Sequence, residues 1–272
     1  MLTYDFVLRA FAAGGIVALV AGIVGWFLIL RGQTFAGHAL SHVGFAGATG
    51  AALVGVSPLA GMIALTLGAG VAMGLLGERL SGRDVAIGIV LALALGFGLL
   101  FLSLNRSTSL QATAILFGNV LAVSPAMLAT LVVLAVVALF ALAVLSRPLL
   151  FATLQPELAE VRGLSPRLIG TLFLAVTAIS VAQSVQIVGV LLVFALMVGP
   201  PAAAHLMTAR VVPGIALSAV LAVAQTWVGI VIAWHTDWPT SFAIVMVSAL
   251  VYFGAVLVSP GRRRDRTPSP GI

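Results

Sequence analysis

Long uncharged runs of apolar residues alternate with short clusters of charged and turn-forming residues along nearly the whole chain. About 20 predominantly apolar residues suffice for a helix to cross a bilayer, so each run of that length predicts one transmembrane helix. The predicted crossings are 10–30, 35–54, 59–77, 85–104, 126–145, two within 168–209, 213–234 and 240–258. We expect the turn between the two crossings of 168–209 at residues 183–186. The stretch 110–123 is predicted to be a short or re-entrant segment, because it is too short for a full crossing.

The composition excludes a water-soluble protein. Of the 272 residues, 62% are hydrophobic and only 7% are charged. A soluble domain carries about a quarter charged residues, so these few polar side chains could not cover a surface that faces water. The sequence therefore predicts an all-α integral membrane protein, a polytopic bundle of 8–9 transmembrane helices. We expect residues 1–261 to form a single transmembrane domain with a cytoplasmic loop at 147–167, and residues 262–272 to form a basic cytoplasmic tail.

The placement of the arginines predicts how the helices are oriented, because short loops rich in basic residues stay on the cytoplasmic side. Most of them fall at one end of the predicted crossings: Arg31, Arg79, Arg83, Arg147, Arg162, Arg167, Arg210 and four in 262–266. Only Arg9 and Arg106 fall at the other end. The C-terminus is therefore expected in the cytoplasm and the N-terminus outside. The first apolar run is too long for a signal peptide and lacks a convincing cleavage site.

Two residue types are missing from the sequence. All thirteen lysine and arginine positions are arginine, and there is no cysteine. Without lysine the chain cannot contain a G-x-x-x-x-G-K-[ST] phosphate-binding loop, so any ATP used must be hydrolysed by another chain. Without cysteine, imidazole and oxygen are the ligands left for a transition metal. The basic residues are spread over several loops, which argues against nucleic-acid binding.

Two of the four histidines, His38 and His42, lie near the start of the second predicted helix. The i, i+4 spacing puts both imidazoles on one helix face, where they can share a ligand. Neutral imidazole binds zinc and other divalent metals, and polar side chains within a membrane face the bundle interior or an aqueous path. We therefore predict a metal site at this pair, completed by a neighbouring helix, water or a second subunit. The alternative is that both rings only form hydrogen bonds with solvent or backbone near the membrane surface.

Other residues are candidates for an ion path or a helix kink. The segment Gly199-Pro200-Pro201 removes helical hydrogen bonds within a predicted crossing and should kink or break the helix. Asn119 lies where the apolar run before residue 126 is interrupted. His235 and Asp237 lie at the outer end of a predicted helix, where they could receive a cation at an outer mouth or simply cap the helix.

The long polar loop contains a candidate helix outside the membrane, beginning at Pro156 and ending at Gly163. Proline is tolerated in the first turn, Glu157 and Glu160 favour the N-terminal part, and glycine suits a C-terminal stop. An apolar stripe flanked by charged residues runs along this helix at Leu158, Val161 and Leu164. Such a helix suits docking of a soluble partner, and an interfacial connector is the alternative.

Together these features resemble the permease subunit of zinc/manganese-type metal ABC transporters. The resemblance extends over roughly residues 10–258 and rests on several separated motifs in the same order. They are Arg31-Gly32-Gln33-Thr34-Phe35-Ala36-Gly37-His38-Ala39-Leu40-Ser41-His42, Leu116-Phe117-Gly118-Asn119-Val120-Leu121-Ala122, Pro156-Glu157-Leu158-Ala159 with Gly163, and Gln186-Ile187-Val188-Gly189 followed by Pro201-Ala202-Ala203-Ala204.

The resemblance implies that residues 1–261 are the permease domain of an importer for divalent transition-metal ions, with no permanently bound cofactor. It implies a homodimer in the bacterial cytoplasmic membrane and an extracytoplasmic protein that delivers the metal. It also implies cytoplasmic ATP-binding subunits, which would dock on Pro156, Glu157, Ala159, Glu160 and Gly163. The first position of the histidine pair is commonly aspartate in such permeases. His38 at that position is expected to favour zinc, with manganese and iron as the other candidates.

Three other functions are compatible with parts of this pattern. An ABC permease for a metal chelate, such as a siderophore or cobalamin, has a similar architecture but does not need a ligand pair on one helix. An ion-coupled secondary transporter would be expected to carry acidic residues within its crossings, and none of the seven acidic residues lies mid-crossing. An intramembrane hydrolase would need a catalytic acid beside the metal, and the histidine pair has no neighbouring glutamate.

Overall fold

The structure of the protein is a computed structural model that describes residues 4–76, 83–104 and 115–259. Within these ranges the chain is helical and contains no β-strand. The helices are α1 (Asp5–Leu30), α2 (Thr34–Leu53), α3 (Pro58–Leu76), α4 (Arg83–Leu104), α5 (Pro125–Leu154), α6 (Pro156–Val161), α7 (Pro166–Met207), α8 (Val211–Thr236) and α9 (Thr240–Val258). Arg79, Arg106 and the arginine-rich tail lie outside the described residues, so the placement expected for them stays a prediction.

Seven of the described helices are long and apolar enough to cross a membrane, namely α1, α3, α4, α5, α7, α8 and α9. α2 has the length of a crossing, but its histidines, glycines and hydroxyl side chains make it less apolar. The bundle places α2 inside, packed against α3, α4 and α7, where most of its side chains are buried. The all-α polytopic membrane bundle expected from the sequence is therefore confirmed.

α7 folds back on itself. Its 42 residues would measure about 63 Å if the helix were straight. Both of its halves nevertheless contact neighbouring residues of α1: the Phe173 and Phe27 rings are 6.4 Å apart, and the His205 and Trp26 rings are 4.8 Å apart. The reversal is at Gly189, the one residue inside α7 with non-helical dihedral angles (φ 79°, ψ 164°). Counting α7 as two crossings and including α2, the described bundle has nine.

The reversal lies later in the chain than expected. Residues 183–186, where we predicted the turn, are helical, and the dihedral angles remain helical through Gly199, Pro200 and Pro201. A proline pair removes two backbone donors but is compatible with helical φ, whereas the dihedral angles of Gly189 are essentially restricted to glycine. The helix thus breaks at Gly189 and not at the prolines. We refer to its halves as α7a (166–188) and α7b (190–207).

Contacts between helix termini show which loops lie together at each of the two ends of the bundle. Arg31, which follows α1, donates a hydrogen bond from Nη1 to Thr153 Oγ1 near the end of α5 (2.8 Å). We call this end, which also holds residues 154–165 and 207–211, the basic end. At the opposite end, the Arg9 side chain of α1 donates from Nε to the Val123 carbonyl (3.0 Å). These described arginines therefore fall at the ends to which the sequence assigned them.

Only part of the short segment predicted at 110–123 is described, namely residues 115–123. Residues 115–117 are helical, and Val120–Ala122 form one turn of 3₁₀ helix. α5 begins directly afterwards, with the Ser124 hydroxyl accepting a hydrogen bond from the Met127 amide (3.2 Å). The described part is far shorter than a crossing, as expected.

Candidate metal-binding site

The interior position of α2 brings His38 and His42 into the bundle. Gly32, with φ 63°, ends α1 and lets the chain turn directly into α2. α2 and α3 then approach so closely that a Cβ atom on Gly47 would lie 2.4 Å from the Gly61 carbonyl oxygen. Small residues on α2 thus allow a helix with two polar rings to pack among its neighbours.

The two imidazoles lie against each other on one face of α2. Their ring centroids are 4.8 Å apart, and their planes are nearly perpendicular (87°). Both side chains are half-buried, and Nδ1 of each ring is buried without a hydrogen-bond partner among the described residues. Each ring therefore has a nitrogen that no described residue engages. The rings are adjacent, as the i, i+4 spacing predicts.

The surroundings of the pair are mainly apolar. The Phe194 ring of α7b lies 4.7 Å from the His38 ring, and the Phe35 ring lies 6.3 Å from it. The nearby Ser41 hydroxyl donates its hydrogen to the His38 carbonyl (2.7 Å), so this hydrogen is directed to the backbone and not to either ring. The ring contacts that His38 makes outside the pair are therefore both with phenylalanine.

The described residues supply only two ligands at this point. Among them there is no group of three or more histidine, cysteine, aspartate or glutamate side chains that could hold a metal ion. Transition metals such as zinc are usually bound by four ligands. An ion held by His38 and His42 would therefore need water, or side chains of another chain, to complete its coordination.

Two of the separated sequence motifs meet at the break in α7. Gly118 and Gly189 both have positive φ, and a Cβ atom on Gly118 would lie 2.3 Å from the Val188 carbonyl carbon. The Asn119 amide donates a hydrogen bond to the Ile187 carbonyl (3.0 Å). We call this backbone crossing, formed by Gly118, Asn119, Ile187 and Gly189, the glycine clasp. Asn119 contributes its backbone amide to the clasp, and its place on an ion path stays a prediction.

The proline pair is buried where α7b packs on α1. A Cβ atom on Gly25 would lie 2.1 Å from the Met197 carbonyl oxygen. Pro201, four residues after Met197, has no N–H to donate to that carbonyl. Pro200 is buried as well, and Gly199 packs closely against α9. In this structure the segment is a packing surface, and its proposed contribution to a path stays a prediction.

The helix predicted in the polar loop is present as α6. Pro156 occupies its first turn together with Glu157. It ends in a Schellman motif, because the Gly163 amide donates to the Glu160 carbonyl (2.9 Å) and the Leu164 amide donates to the carbonyl five residues earlier (3.0 Å). This motif requires the left-handed conformation of Gly163 (φ 75°), which explains why the helix stops where the sequence predicted.

α6 has one buried and one exposed side. Ala159 is completely buried and fixes the helix to the bundle. Leu158 and Val161 are exposed (53% and 84%) at the basic end. Leu164 instead packs against the core, so the predicted apolar stripe is divided between the bundle and the surface. The surface that remains is a small apolar patch beside two glutamates.

The other two histidines make no ring contact with the pair. His235 is in the last turn of α8, and Asp237 follows that helix in the left-handed conformation (φ 56°); both are exposed at the end opposite the basic end. Asp237, but not His235, lines a cavity of about 340 Å³. His205 is at the basic end, where its Nε2 atom is 3.1 Å from the Trp26 carbonyl oxygen. Neither histidine contributes a ring to the candidate site.

Phe194 and the buried glutamines are residues that the sequence motifs do not mark as candidates. Phe194 lies in a long apolar run, so no polar neighbour marks it. Gln33, Gln183 and Gln225 are buried, and their amide atoms have no hydrogen-bond partner among the described residues. A glutamine within a membrane helix is itself an unusual polar position, and this signal could have identified Gln183 and Gln225. We had instead taken Gln183 as part of a turn.

Fold and site together define a class of protein, the polytopic membrane permeases. The chain belongs to the ABC 3 transport family, whose sequence profile matches residues 3–259. It is 30% identical to the manganese transport system membrane protein MntC of Halalkalibacterium halodurans, over 96% of this chain and 89% of that protein. It is 28% identical to the chelated iron transport system membrane protein YfeC of Yersinia pestis, over 94% of this chain and 87% of that protein.

The fold has a close counterpart among solved structures. PsaBC from Streptococcus pneumoniae in complex with Fab matches with a TM-score of 0.85 and 25% sequence identity, over 96% of this chain and 94% of that chain. The resemblance inferred from the motifs is thus confirmed at the level of the family. The protein is a multi-pass membrane permease of a metal ABC importer.

Proposed function

We propose that this permease imports a divalent first-row transition-metal ion, which binds transiently to His38 and His42 during its passage. The observation that carries the proposal is the contact of two imidazoles, 4.8 Å apart, on a helix inside a membrane bundle. Ionisable side chains in such surroundings are costly and are usually functional. Since the ion is cargo, a site with two protein ligands on one chain suits rapid binding and release.

On ligand chemistry, zinc is the cargo that we propose first. Imidazole suits zinc and the later first-row metals, whereas carboxylate and water suit manganese. Manganese is the second candidate, because the related protein of H. halodurans is named for manganese transport. Iron is the third, since the related protein of Y. pestis is named for chelated iron.

A substitution at His38 tests whether this residue selects between zinc and manganese, the two leading candidates for the cargo. His38→Asp replaces one imidazole by a carboxylate and is expected to shift the ratio of manganese to zinc uptake towards manganese by about tenfold, equivalent to about 1.4 kcal/mol. The measurement is uptake of radioactive zinc and manganese by cells that lack other importers of both metals and that express the complete transporter.

Ser57→Asp is the control, because it introduces a carboxylate at an exposed position beyond the other end of α2, away from the pair. It should leave the ratio unchanged. An unchanged ratio in His38→Asp, with uptake retained, would contradict the role of His38 in selecting the metal.

We further propose that cytoplasmic ATP-binding subunits dock on α6 through Pro156, Glu157, Glu160 and Gly163. Ala159, also expected in this docking set, is buried against the bundle and is not available to a partner. The exposed Leu158 and Val161 beside two glutamates support this assignment, and so does the lack of any lysine for a phosphate-binding loop in this chain. With the ATPase at the basic end, that end and the C-terminus are cytoplasmic, in agreement with the distribution of arginine. The opposite end would then receive the metal from an extracytoplasmic binding protein.

We propose that a second copy of the permease supplies the ligands that the histidine pair lacks. The half-buried rings of one chain leave coordination incomplete, and a homodimer around a common path would bring further ligands to the ion. This assembly belongs in the bacterial cytoplasmic membrane.

Substitutions on α6 are expected to separate the permease from its ATPase. Glu157→Arg combined with Gly163→Trp reverses a charge and disturbs the helix end, and Val161→Glu places a charge on the exposed apolar patch without altering the backbone. Each should reduce the ATPase recovered with the purified permease by about tenfold or more, the loss expected from about 1.4 kcal/mol of interface free energy.

The measurement is co-purification from membranes at matched permease abundance. Asp237→Arg, a charge reversal at the opposite end, should leave recovery unchanged. Wild-type recovery of the ATPase by both α6 variants would place the docking surface elsewhere.

A further inference from the structure

Phe194 is the aromatic side chain closest to the histidine pair among the ring contacts of the described residues. Its ring centroid lies 4.7 Å from that of His38, and the two planes are inclined by 59°. His38 therefore contacts two rings, the perpendicular ring of His42 at 4.8 Å and the ring of Phe194. These two contacts restrict how the His38 imidazole can rotate.

Hydrogen bonding does not fix the imidazoles within the described structure. In most metal sites the ring nitrogen that does not bind the metal donates to a carboxylate, a carbonyl or water, and this bond orients the ring. Here Nδ1 of both His38 and His42 is buried and has no such partner. Within the described structure, packing is the interaction that bears on the orientation of the His38 ring, and Phe194 supplies an aromatic surface for it.

Phe194 is itself held firmly in place. It follows the break at Gly189 by five residues, and that break is enclosed by the glycine clasp. One turn further along α7b, the Met197 carbonyl is in tight contact with Gly25 of α1. The backbone that carries Phe194 is thus held by close contacts on both sides of it along the chain.

We propose that Phe194 is a positioning residue for the metal site, whose aromatic ring orients the His38 imidazole by packing against it. The proposal rests on the function proposed for His38 and His42. It assigns to Phe194 an effect on affinity for the ion and not on ATP-driven turnover. It also requires an aromatic ring, since a flat surface of that size is what limits rotation of the imidazole.

Three substitutions test this assignment in the complete transporter. Phe194→Ala removes the ring, Phe194→Leu retains an apolar side chain without a flat surface, and Phe194→Tyr retains the ring. We expect Phe194→Ala and Phe194→Leu to raise the KM for zinc uptake about tenfold, with Vmax close to wild type. About tenfold is the lower end of the loss in metal affinity that follows removal of a group that orients a metal ligand. Tyr should keep KM close to the wild-type value.

A second measurement uses Co²⁺ alone as a spectroscopic probe of the purified full-length permease. Phe194→Ala and Phe194→Leu should weaken Co²⁺ binding by about tenfold and alter its visible absorption, whereas Phe194→Tyr should not. Phe253→Ala is the matched control, because it removes a phenylalanine that is exposed on α9. It should leave KM and the Co²⁺ spectrum unchanged.

The outcomes distinguish this inference from the function on which it rests. Wild-type KM and Co²⁺ affinity in Phe194→Leu would show that apolar volume suffices and would overturn the proposal. If Phe194→Ala fails to accumulate in membranes, Phe194→Leu still tests whether an aromatic ring is required at this position. If removal of both histidines leaves uptake intact, the proposed function itself fails; if it abolishes uptake while Phe194→Ala and Phe194→Leu behave as wild type, only the role of Phe194 fails.

Discussion

Metal uptake is expected to fall to background when His38→Ala and His42→Ala are combined, while the permease still reaches the membrane. Loss of groups that merely orient a metal ligand costs about 10- to 100-fold in metal affinity, so loss of both ligands should cost more than about 100-fold. The fold should tolerate the change, because Nδ1 of each ring makes no hydrogen bond among the described residues and both side chains are only half-buried. The measurement is initial uptake of radioactive zinc and manganese at equal membrane abundance.

Two comparisons make this experiment specific. Ser57→Ala removes a polar side chain from an exposed position beyond the other end of α2 and should retain uptake. Recovery of the ATPase with the double variant should also match wild type, which separates loss of the metal site from loss of assembly. Uptake equal to wild type in the double variant would contradict the assignment of the metal site.

The second large effect is expected at the glycine clasp. Gly189→Ala should greatly reduce the amount of folded permease, for two independent reasons. The dihedral angles of Gly189 lie in a region that costs a residue with a Cβ atom about 1–3 kcal/mol. That Cβ atom would also lie 2.3 Å from the Gly118 nitrogen and 2.5 Å from the Leu116 carbonyl oxygen, both of which are backbone atoms that cannot rotate away. The measurement is the yield of monodisperse permease in detergent, together with its thermal unfolding temperature.

Other glycines of the chain allow these two causes to be separated. Gly55→Ala places a Cβ atom at positive φ (74°) with nothing within 4 Å, so it should show only the backbone cost. Gly68→Ala places one in a helix with nothing within 4 Å and should be close to neutral or slightly stabilising. The expected order of yield is Gly68→Ala, then Gly55→Ala, then Gly189→Ala. A yield of Gly189→Ala as high as that of Gly55→Ala would show that the clasp is not tightly packed.

Most helices could be predicted from the sequence because lipid imposes strict requirements. A bilayer offers no hydrogen-bond partners for the backbone, so a crossing must be a helix, and its length is set by membrane thickness. The runs 10–30 and 240–258 accordingly fall within α1 and α9. The polar glutamines at 183 and 186 predict a turn in α7 at the wrong place, because α7a holds Gln183 in the protein interior.

The candidate site was predictable in part. The spacing of His38 and His42 on one helix is enough to place the two rings together, since side chains four residues apart in a helix are neighbours. The end of α6 at Gly163 was also predictable, because glycine at that position permits the left-handed conformation of the Schellman motif. Phe194 was not predictable, since it is separated from His38 by most of the chain and lies in a run of similar apolar residues.

By itself, the sequence determined that this is a helical membrane protein, that it contains no phosphate-binding loop of its own, and that two imidazoles share a helix face. These properties follow from composition and from short-range spacing. Tertiary structure alone decided that α2 lies inside the bundle, that the 116–119 loop encloses the break at Gly189, and that Phe194 contacts His38. The physical reason is that these features depend on contacts between segments that are distant in the sequence. Small and apolar residues allow such contacts at many positions, and only the packing of the whole bundle determines which of them form.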